Sequence, residues 1–342
     1  MSSDLYRVAI VGASSLKGKE LKEVLEGRNF PAGEIKLLDD EAEGQLDSVG
    51  DEPTFVQTAR PEHFQEADVA FFAGDATLTA KHWEEAMRAG CTAVDMSYAI
   101  EGKSQVRAPW VEREIAASSP QDIQANSAIA AHPASVTLAL VLARAKKAAN
   151  VRHASAVIFE PASERGKAGM DELHQQTVSL LSFQTLPKAV FDTQVAFNLQ
   201  GRLGAEAKQP LEAVEKRIVS HFNQIAANAI PVPSLMLVQA PTFHAHVFSI
   251  YIELEKTVSE GDFVKAIQGD HVIVVRTADL EDTPSNVGAA GRDEIMLTVK
   301  RDPAHENGFW IWGAEDNLRI QALTAVDCAA VLVANRTQGR VQ

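Results

Sequence analysis

The sequence predicts a two-domain α/β protein: a doubly wound parallel sheet of Rossmann type, then an α+β domain on a mostly antiparallel sheet. Three observations carry this. The stretch RVAIVGASSLKGKELKEVL, Arg7 to Leu25, reads as a buried strand, a glycine loop and a helix in that order. Apolar runs then alternate with helix-period segments to about Ala148, the pattern of βαβ units. From Val151 onward strands and helices come in groups instead. At 342 residues the chain is also longer than one ordinary core serves.

The first strand, Val8 to Val11, is apolar on both faces, as a central parallel strand must be. Gly12 breaks it, and Leu21, Val24 and Leu25 then recur at helical spacing after Gly18. Strand, loop and helix in that order form a cradle whose amides and positive helix end can hold a pyrophosphate. Gly12, Ser14, Ser15, Leu16 and Gly18 are its candidate binding residues, although Ser15 stands where the fingerprint wants a glycine. A second strand, Glu34–Leu38, ends in the acidic turn Asp39-Asp40-Glu41. An acid about 20 residues past the loop takes a ribose hydroxyl and repels a 2′-phosphate, so Asp39 favours NAD over NADP.

Ala67–Ala73 is a third buried strand, with Gly74 at its carboxyl end, where ligands of open α/β sheets sit. The helix Thr79–Ala89 stops at Gly90, and the strand Thr92–Asp95 leads to Ser97 in the same ligand-facing position. Ala128–Ala131 is a further strand, and His132-Pro133-Ala134-Ser135 turns the chain into the helix Val136–Ala148 with Ser135 as its N-cap. In the second half, His153–Phe159, Leu235–Val238, His244–Leu254, His271–Thr277, Ile295–Arg301 and Phe309–Gly313 read as strands. Gly166–Phe183 and Leu211–Ala227 read as helices, and the closing helix Leu318–Ala334 is apolar nearly all round and must be buried.

Bulk properties narrow the partners. With 46% hydrophobic and 23% charged residues the chain is an ordinary globular protein, and its net charge of -14 argues against nucleic acid and anionic membrane. No apolar run is expected to reach the roughly 20 residues that span a bilayer. The first residues, MSSDLYRVAI, go almost directly into a strand, so no signal peptide is expected. Cys91 and Cys328 are the only cysteines, both in apolar surroundings, which fits a reducing compartment, the cytoplasm. His244 and His246 would share a strand face, but no third ligand accompanies them, so no metal is expected.

Several separated stretches resemble one family. VGASSLKGKEL, AGCTAVDMS, IAAHPASVT, GKAGMDEL, VAFNLQGRLG, APTFHAHVFS and DNLRIQAL together are similar to the aspartate-semialdehyde dehydrogenases, and more closely to their Usg-like relatives. The resemblance runs from Val8 to about Val333. It implies a nicotinamide-binding domain over 1–132, completed by the helix 317–342, and a substrate and dimerisation domain over 133–316. It also implies a small-molecule ligand, NAD or NADP as cofactor, and a homodimer or tetramer. Gly166 and Asn317 match residues that approach the cofactor.

In that family a cysteine attacks the aldehyde, the cofactor takes hydride, phosphate releases the acyl group, and a histidine serves as acid and base. The resemblance puts Ser135 at the cysteine position and His246 at the histidine. Gln239 stands for a substrate-binding arginine, His221 and Gln224 for a glutamate and a lysine, and Ile100 near another arginine, with Arg107 close by. A serine hydroxyl is far less acidic than a thiol and gives an oxygen ester in place of a thioester. The expectation is therefore a nucleotide-binding homologue that has lost the family reaction. Two alternatives stand beside it: an NAD(P)-dependent oxidoreductase on another small carbonyl compound with His246 as acid and base, and a hydrolase built on Ser135 and His246.

Overall fold

The computed structural model describes residues 5–27, 30–115, 125–275 and 283–339. The chain divides into two compact units, cut after Ala131 and again after Ile320, so that the first unit takes both ends and the second is residues 132–320.

The first unit begins with β1 (Tyr6–Val11), α1 (Leu16–Gly27) and β2 (Ala32–Leu38). A small antiparallel hairpin, β3 (Leu46–Val49) and β4 (Glu52–Phe55), and the short α2 (Pro61–Gln65) come next; none of the three was expected. β5 (Val69–Phe72), α3 (Ala76–Ala89), β6 (Thr92–Asp95), β7 (Gln105–Arg107), α4 (Pro109–Glu114) and β8 (Ser127–Ala130) complete it. The strands form one six-stranded sheet in the order β2-β1-β5-β6-β8-β7, with every pairing parallel. The order reverses at β1, so the chain leaves the carboxyl ends of β1 and β5 in different directions. Such a reversal opens the crevice where doubly wound sheets bind ligands. α3 is capped at both ends: Asp75 accepts from Leu78 N–H, and Gly90 at φ 81° closes it.

The second unit opens with α5 (Pro133–Ala148), β9 (Val151–Glu160), a 3-10 turn (Ala162–Arg165) and α6 (Gly166–Leu181). Residues 182–210 then run without helix or extended strand. α7 (Leu211–Ala226), β10 (Ser234–Gln239), β11 (His246–Leu254), α8 (Glu260–Ile267), β12 (Val272–Val274), α9 (Asn286–Ala289), β13 (Ile295–Arg301) and β14 (Gly308–Glu315) follow. The sheet order is β10-β9-β11-β14-β13-β12; the central pairings are antiparallel and the two edge pairings parallel. Arg276 and Thr277, the end of one expected strand, lie outside the described residues. The even-numbered residues of β11 from His246 to Leu254 are buried, and α5 packs on α7 and α8. On the opposite face Trp310, Trp312 and Met236 are exposed, with Phe159 and Tyr251 beside the two indoles.

Three local expectations are corrected. The N-cap of α5 is His132, whose imidazole accepts from Ala134 N–H; Pro133 takes the first helical position, and Ser135 lies inside the first turn. His244 does not share a strand face with His246, because Ala245 at φ 70° turns the chain just before β11 begins. Finally, α10 (Asn317–Gly339) contains a stretch, Asn317–Asn335, long and apolar enough to cross a bilayer, which the sequence reading excluded. That stretch is 72% buried, as a core helix is.

Candidate functional site

In the first unit the loop after β1 is held by its own backbone. Gly12 has φ 82°, and a Cβ there would lie 2.2 Å from Gly74 Cα, so no larger residue fits. A Cβ at Gly18 would lie 2.3 Å from the Gly12 carbonyl oxygen. Ser15 does the work of the missing glycine differently: its hydroxyl donates to Ala73 O at 2.8 Å and accepts from Gly18 N–H at 2.9 Å. Leu16 starts α1. Ser14 N–H donates to Asp39 at 3.2 Å, and Glu41 N–H to the other Asp39 oxygen at 3.1 Å. The Ser14 hydroxyl is buried and has no hydrogen-bond partner among the described residues. Ser97 caps its own turn, giving both N–H and O–H to Asp95 at 2.7 Å. Gly12, Ser14, Ser15, Leu16, Gly18, Asp39 and Gly74 thus gather at the carboxyl ends of β1, β2 and β5.

Asp40, the residue after Asp39, is a strongly paired carboxylate. Although burial pulls the other way, Lys81, His82 and the Ala59 N–H hold it down at about 2. Arg107 is committed to a neighbour: it grips Glu112 with two bonds of 2.6 Å.

The second unit holds a buried cluster of charges around His246. Its imidazole Nδ1 lies 3.1 Å from Glu315 Oε1, and Nε2 faces Glu164 Oε1 at 3.6 Å without a hydrogen bond. Glu315 also accepts from the Thr137 hydroxyl on α5. Asn317 ties the group together: its amide nitrogen donates to Glu164 at 2.8 Å, and its oxygen accepts from Ala245 N–H and the Ser163 hydroxyl, both at 3.2 Å. The His132 and His246 rings lie 5.8 Å apart, and His132 Nε2 is 3.7 Å from the other Glu164 oxygen. Because His132 Nδ1 accepts from Ala134 N–H, its ring proton sits on Nε2, on the Glu164 side. The backbone N–H of His132 donates to His221 Nδ1 at 3.0 Å.

A second ion pair lies alongside. Arg165 bonds the fully buried Glu160 and reaches Gln239 Oε1 at 2.7 Å and Gln209 O at 3.3 Å. Gln239 completes the set by donating to Glu160 O at 2.9 Å. Burial lowers the affinity of His246 for a proton, yet the Glu315 hydrogen bond and the fields of Glu164 and Glu160 outweigh it and push its pKa up. Burial pushes Glu315 and Glu160 up as well, Arg165 only partly offsetting this for Glu160. Taken together the cluster holds protons more tightly than the same groups in water.

Ser135 is fully buried and gives its hydroxyl to Ile218 O at 2.8 Å. Among the described residues it makes no hydrogen bond with His246. The second unit contains no cysteine, and the two thiols elsewhere donate to backbone carbonyls. Burial pushes the Cys328 thiol well up. Gly166 enters α6 at φ 64°. No group of three or more His, Cys, Asp or Glu arranged for a metal ion occurs among the described residues. Of the charged groups in this cluster, His246 is expected from the sequence, whereas Glu160, Glu164, Arg165 and Glu315 are not. Glu160 and Glu315 each close an apolar strand, and that setting is the available signal for those two; Glu164 and Arg165 lie in the turn after β9, where the sequence offers none.

Known proteins agree with this architecture. The family model described as the semialdehyde dehydrogenase NAD binding domain matches residues 7–180, and that of the dimerisation domain matches residues 142–320. The aspartate-semialdehyde dehydrogenase of Rickettsia conorii is 27% identical over 336 residues, 96% of this chain and 98% of that protein. The USG-1 protein homolog of Azotobacter vinelandii is 30% identical over 341 residues, 97% of this chain and 98% of that protein. Among solved structures, a probable aspartate-semialdehyde dehydrogenase from Pseudomonas aeruginosa superposes with a TM-score of 0.83 at 27% identity, over 96% of this chain and 99% of that one. Matched nearly end to end in sequence and in fold, the chain belongs to the semialdehyde dehydrogenase family.

Proposed function

We propose that this protein is a nicotinamide-nucleotide-binding homologue, a cytoplasmic homodimer, that does not carry out the family's thiol-dependent interconversion of aspartyl phosphate and aspartate semialdehyde. The observation that carries this reading is chemical: the unit that holds His246 contains no thiol. Ser135, which the resemblance sets at the nucleophile position, has its hydroxyl engaged by Ile218 O. The engaged hydroxyl also counts against a Ser135–His246 hydrolase, since both nitrogens of His246 face carboxylates and neither is aimed at a hydroxyl.

The residues of the first unit fit a dinucleotide. The positive end of α1, the close approach of Gly12 and Gly74, and Asp39 at the end of β2 are the parts such a ligand uses. Asp39, Asp40 and Glu41 make that end acidic, and Lys81 and His82 are already paired with Asp40, which favours NAD over NADP. When bound, the nucleotide would supply a hydride acceptor. The dimer rests on the match to the dimerisation domain and on the exposed Trp310, Trp312 and Met236 of the second sheet.

Calorimetric titration with NAD and NADP, followed by an assay with aspartate semialdehyde and phosphate, tests the reading. NAD is expected to bind about tenfold more tightly than NADP, a difference of about 1.4 kcal/mol, and no acyl phosphate is expected. Sustained acyl phosphate formation would overturn it, and turnover of another small aldehyde with NADH would replace it by the carbonyl-reductase alternative.

A further inference from the structure

The Glu164 side chain occupies a position that needs explaining. It comes from the 3-10 turn between β9 and α6, yet its carboxylate is driven into the interior, only 9% exposed, against two imidazoles and an amide. Asn317 donates to one oxygen at 2.8 Å, and His246 and His132 present Nε2 edges to the two oxygens at 3.6 and 3.7 Å. Two ring nitrogens and one amide N–H directed at a single carboxylate form a receptor for an anion. The receptor is braced independently of its occupant. Glu315 orients His246 from behind, Ala134 N–H fixes His132 with its proton on Nε2, and Ala245 N–H and Ser163 hold Asn317. On the His246 side the contact is longer than a hydrogen bond: Nε2 stands 3.6 Å from the Glu164 carboxylate and makes no hydrogen bond among the described residues.

We propose that His132, His246 and Asn317 form a binding site for the carboxylate of a small carboxylic acid, and that Glu164 occupies it from within the chain and keeps it closed. The inference rests on the reading that the family reaction is absent, because an occupied His246 is withheld from an aldehyde. The ligand class follows from the donors: one planar anion with two acceptor oxygens, small enough to replace the end of a glutamate side chain. Phosphate, with its greater bulk and charge, would bring more charge than these three donors match beside the two carboxylates that stay buried nearby, those of Glu160 and Glu315.

The test is chemical replacement of the occupant. Glu164→Ala removes the carboxylate and leaves its space, and thermal unfolding is followed in sodium acetate and in sodium chloride at equal ionic strength. The variant is expected to gain about 2–4 °C in Tm with acetate in tenfold excess over its Kd, saturably, and the wild type nothing. Carbon-13 labelling of the histidines provides the second readout: the His246 resonance should shift with acetate in Glu164→Ala and stay put in Glu164→Gln, where the space remains filled. Absence of a saturable acetate effect in folded Glu164→Ala overturns the proposal. An equal effect in the wild type or in Glu164→Gln does so too. Should Glu164→Ala fold only in acetate, the proposal is supported; should it fold in neither salt, a free carboxylate cannot replace Glu164 and the proposal fails. None of these measurements uses nucleotide or aldehyde, so their failure is distinct from failure of the functional reading.

Discussion

Arg165 on the turn before α6 donates to Gln239 at the end of β10 across 2.7 Å. By resemblance, Gln239 stands where a substrate-binding arginine would be. A guanidinium therefore returns to that neighbourhood from a different element, but it arrives already neutralised by Glu160. Both partners are almost wholly buried, with Arg165 2% and Glu160 0% exposed. Such a pair contributes little net stability while intact and is costly to break.

Restoring the arginine should therefore fail. Gln239→Arg would bury a second guanidinium against Arg165 and cost roughly 3–5 kcal/mol. Arg165→Ala combined with Gln239→Arg should recover much of that loss, because the new guanidinium can take over Glu160. A double-mutant cycle in urea, showing strong positive coupling, checks this.

The cluster around His246 also sets a pH dependence. His246, Glu315 and Glu160 all hold their protons more tightly in the folded protein than in the unfolded chain. A raised folded pKa gives stability that is full below the unfolded value, near 6.5 for His246, and is lost as pH rises through the folded value. The carboxyls act in the same sense from their lower unfolded values upward. Asp40, held at about 2, acts oppositely: its contribution is present above 3.8 and is lost as pH falls through about 2. Stability should decline from pH 6 to 9, and Glu315→Gln should flatten that decline; urea midpoints across pH measure both.

Ser135→Cys is expected not to create activity. The residue is fully buried, so the new thiol should resist alkylation by iodoacetamide in the native state and react only on unfolding. With Glu164 facing His246, the assay for acyl phosphate should stay at background. Ser135→Ala should cost about 1 kcal/mol for the lost bond to Ile218 O.

Gly12→Ala tests the first unit. The left-handed backbone and the contact with Gly74 together should cost about 2–5 kcal/mol. Gly102→Ala, also at positive φ but with nothing within 4 Å of its new Cβ, should cost only the backbone share of about 1–2 kcal/mol. Thermal melts of the two variants separate strain from collision.

Much of the first sheet is legible because its central strands β1, β5 and β8 are largely apolar and its turns use glycine where φ is positive, as at Gly12 and Gly90. The edge pieces escaped notice: β3 and β4 are short and half exposed, so no burial pattern marks them. His246 could be found by its surroundings in APTFHAHVFS, but the strand was started too early because Ala245 does not advertise the left-handed turn that a glycine would. Glu164 and Arg165 were passed over for a different reason. Charges in a turn are usually solvated, and only tertiary packing turns these two inward.

Two side chains of α6 hold the middle of the span 182–210, which Arg165 also holds at Gln209 O and Gln239 at Gln200. Glu172 accepts from the N–H groups of Val190 and Phe191, while Gln176 accepts from Val195 and Ala196 and donates to Pro187 O and Thr193 O. A single glutamine thus works as a four-point clasp on residues 187–196, which lie outside the strands. The excursion is fastened at a few points rather than along its length, so it should release as one piece, and a protease that nicks it anywhere reports on whether the clasp is shut.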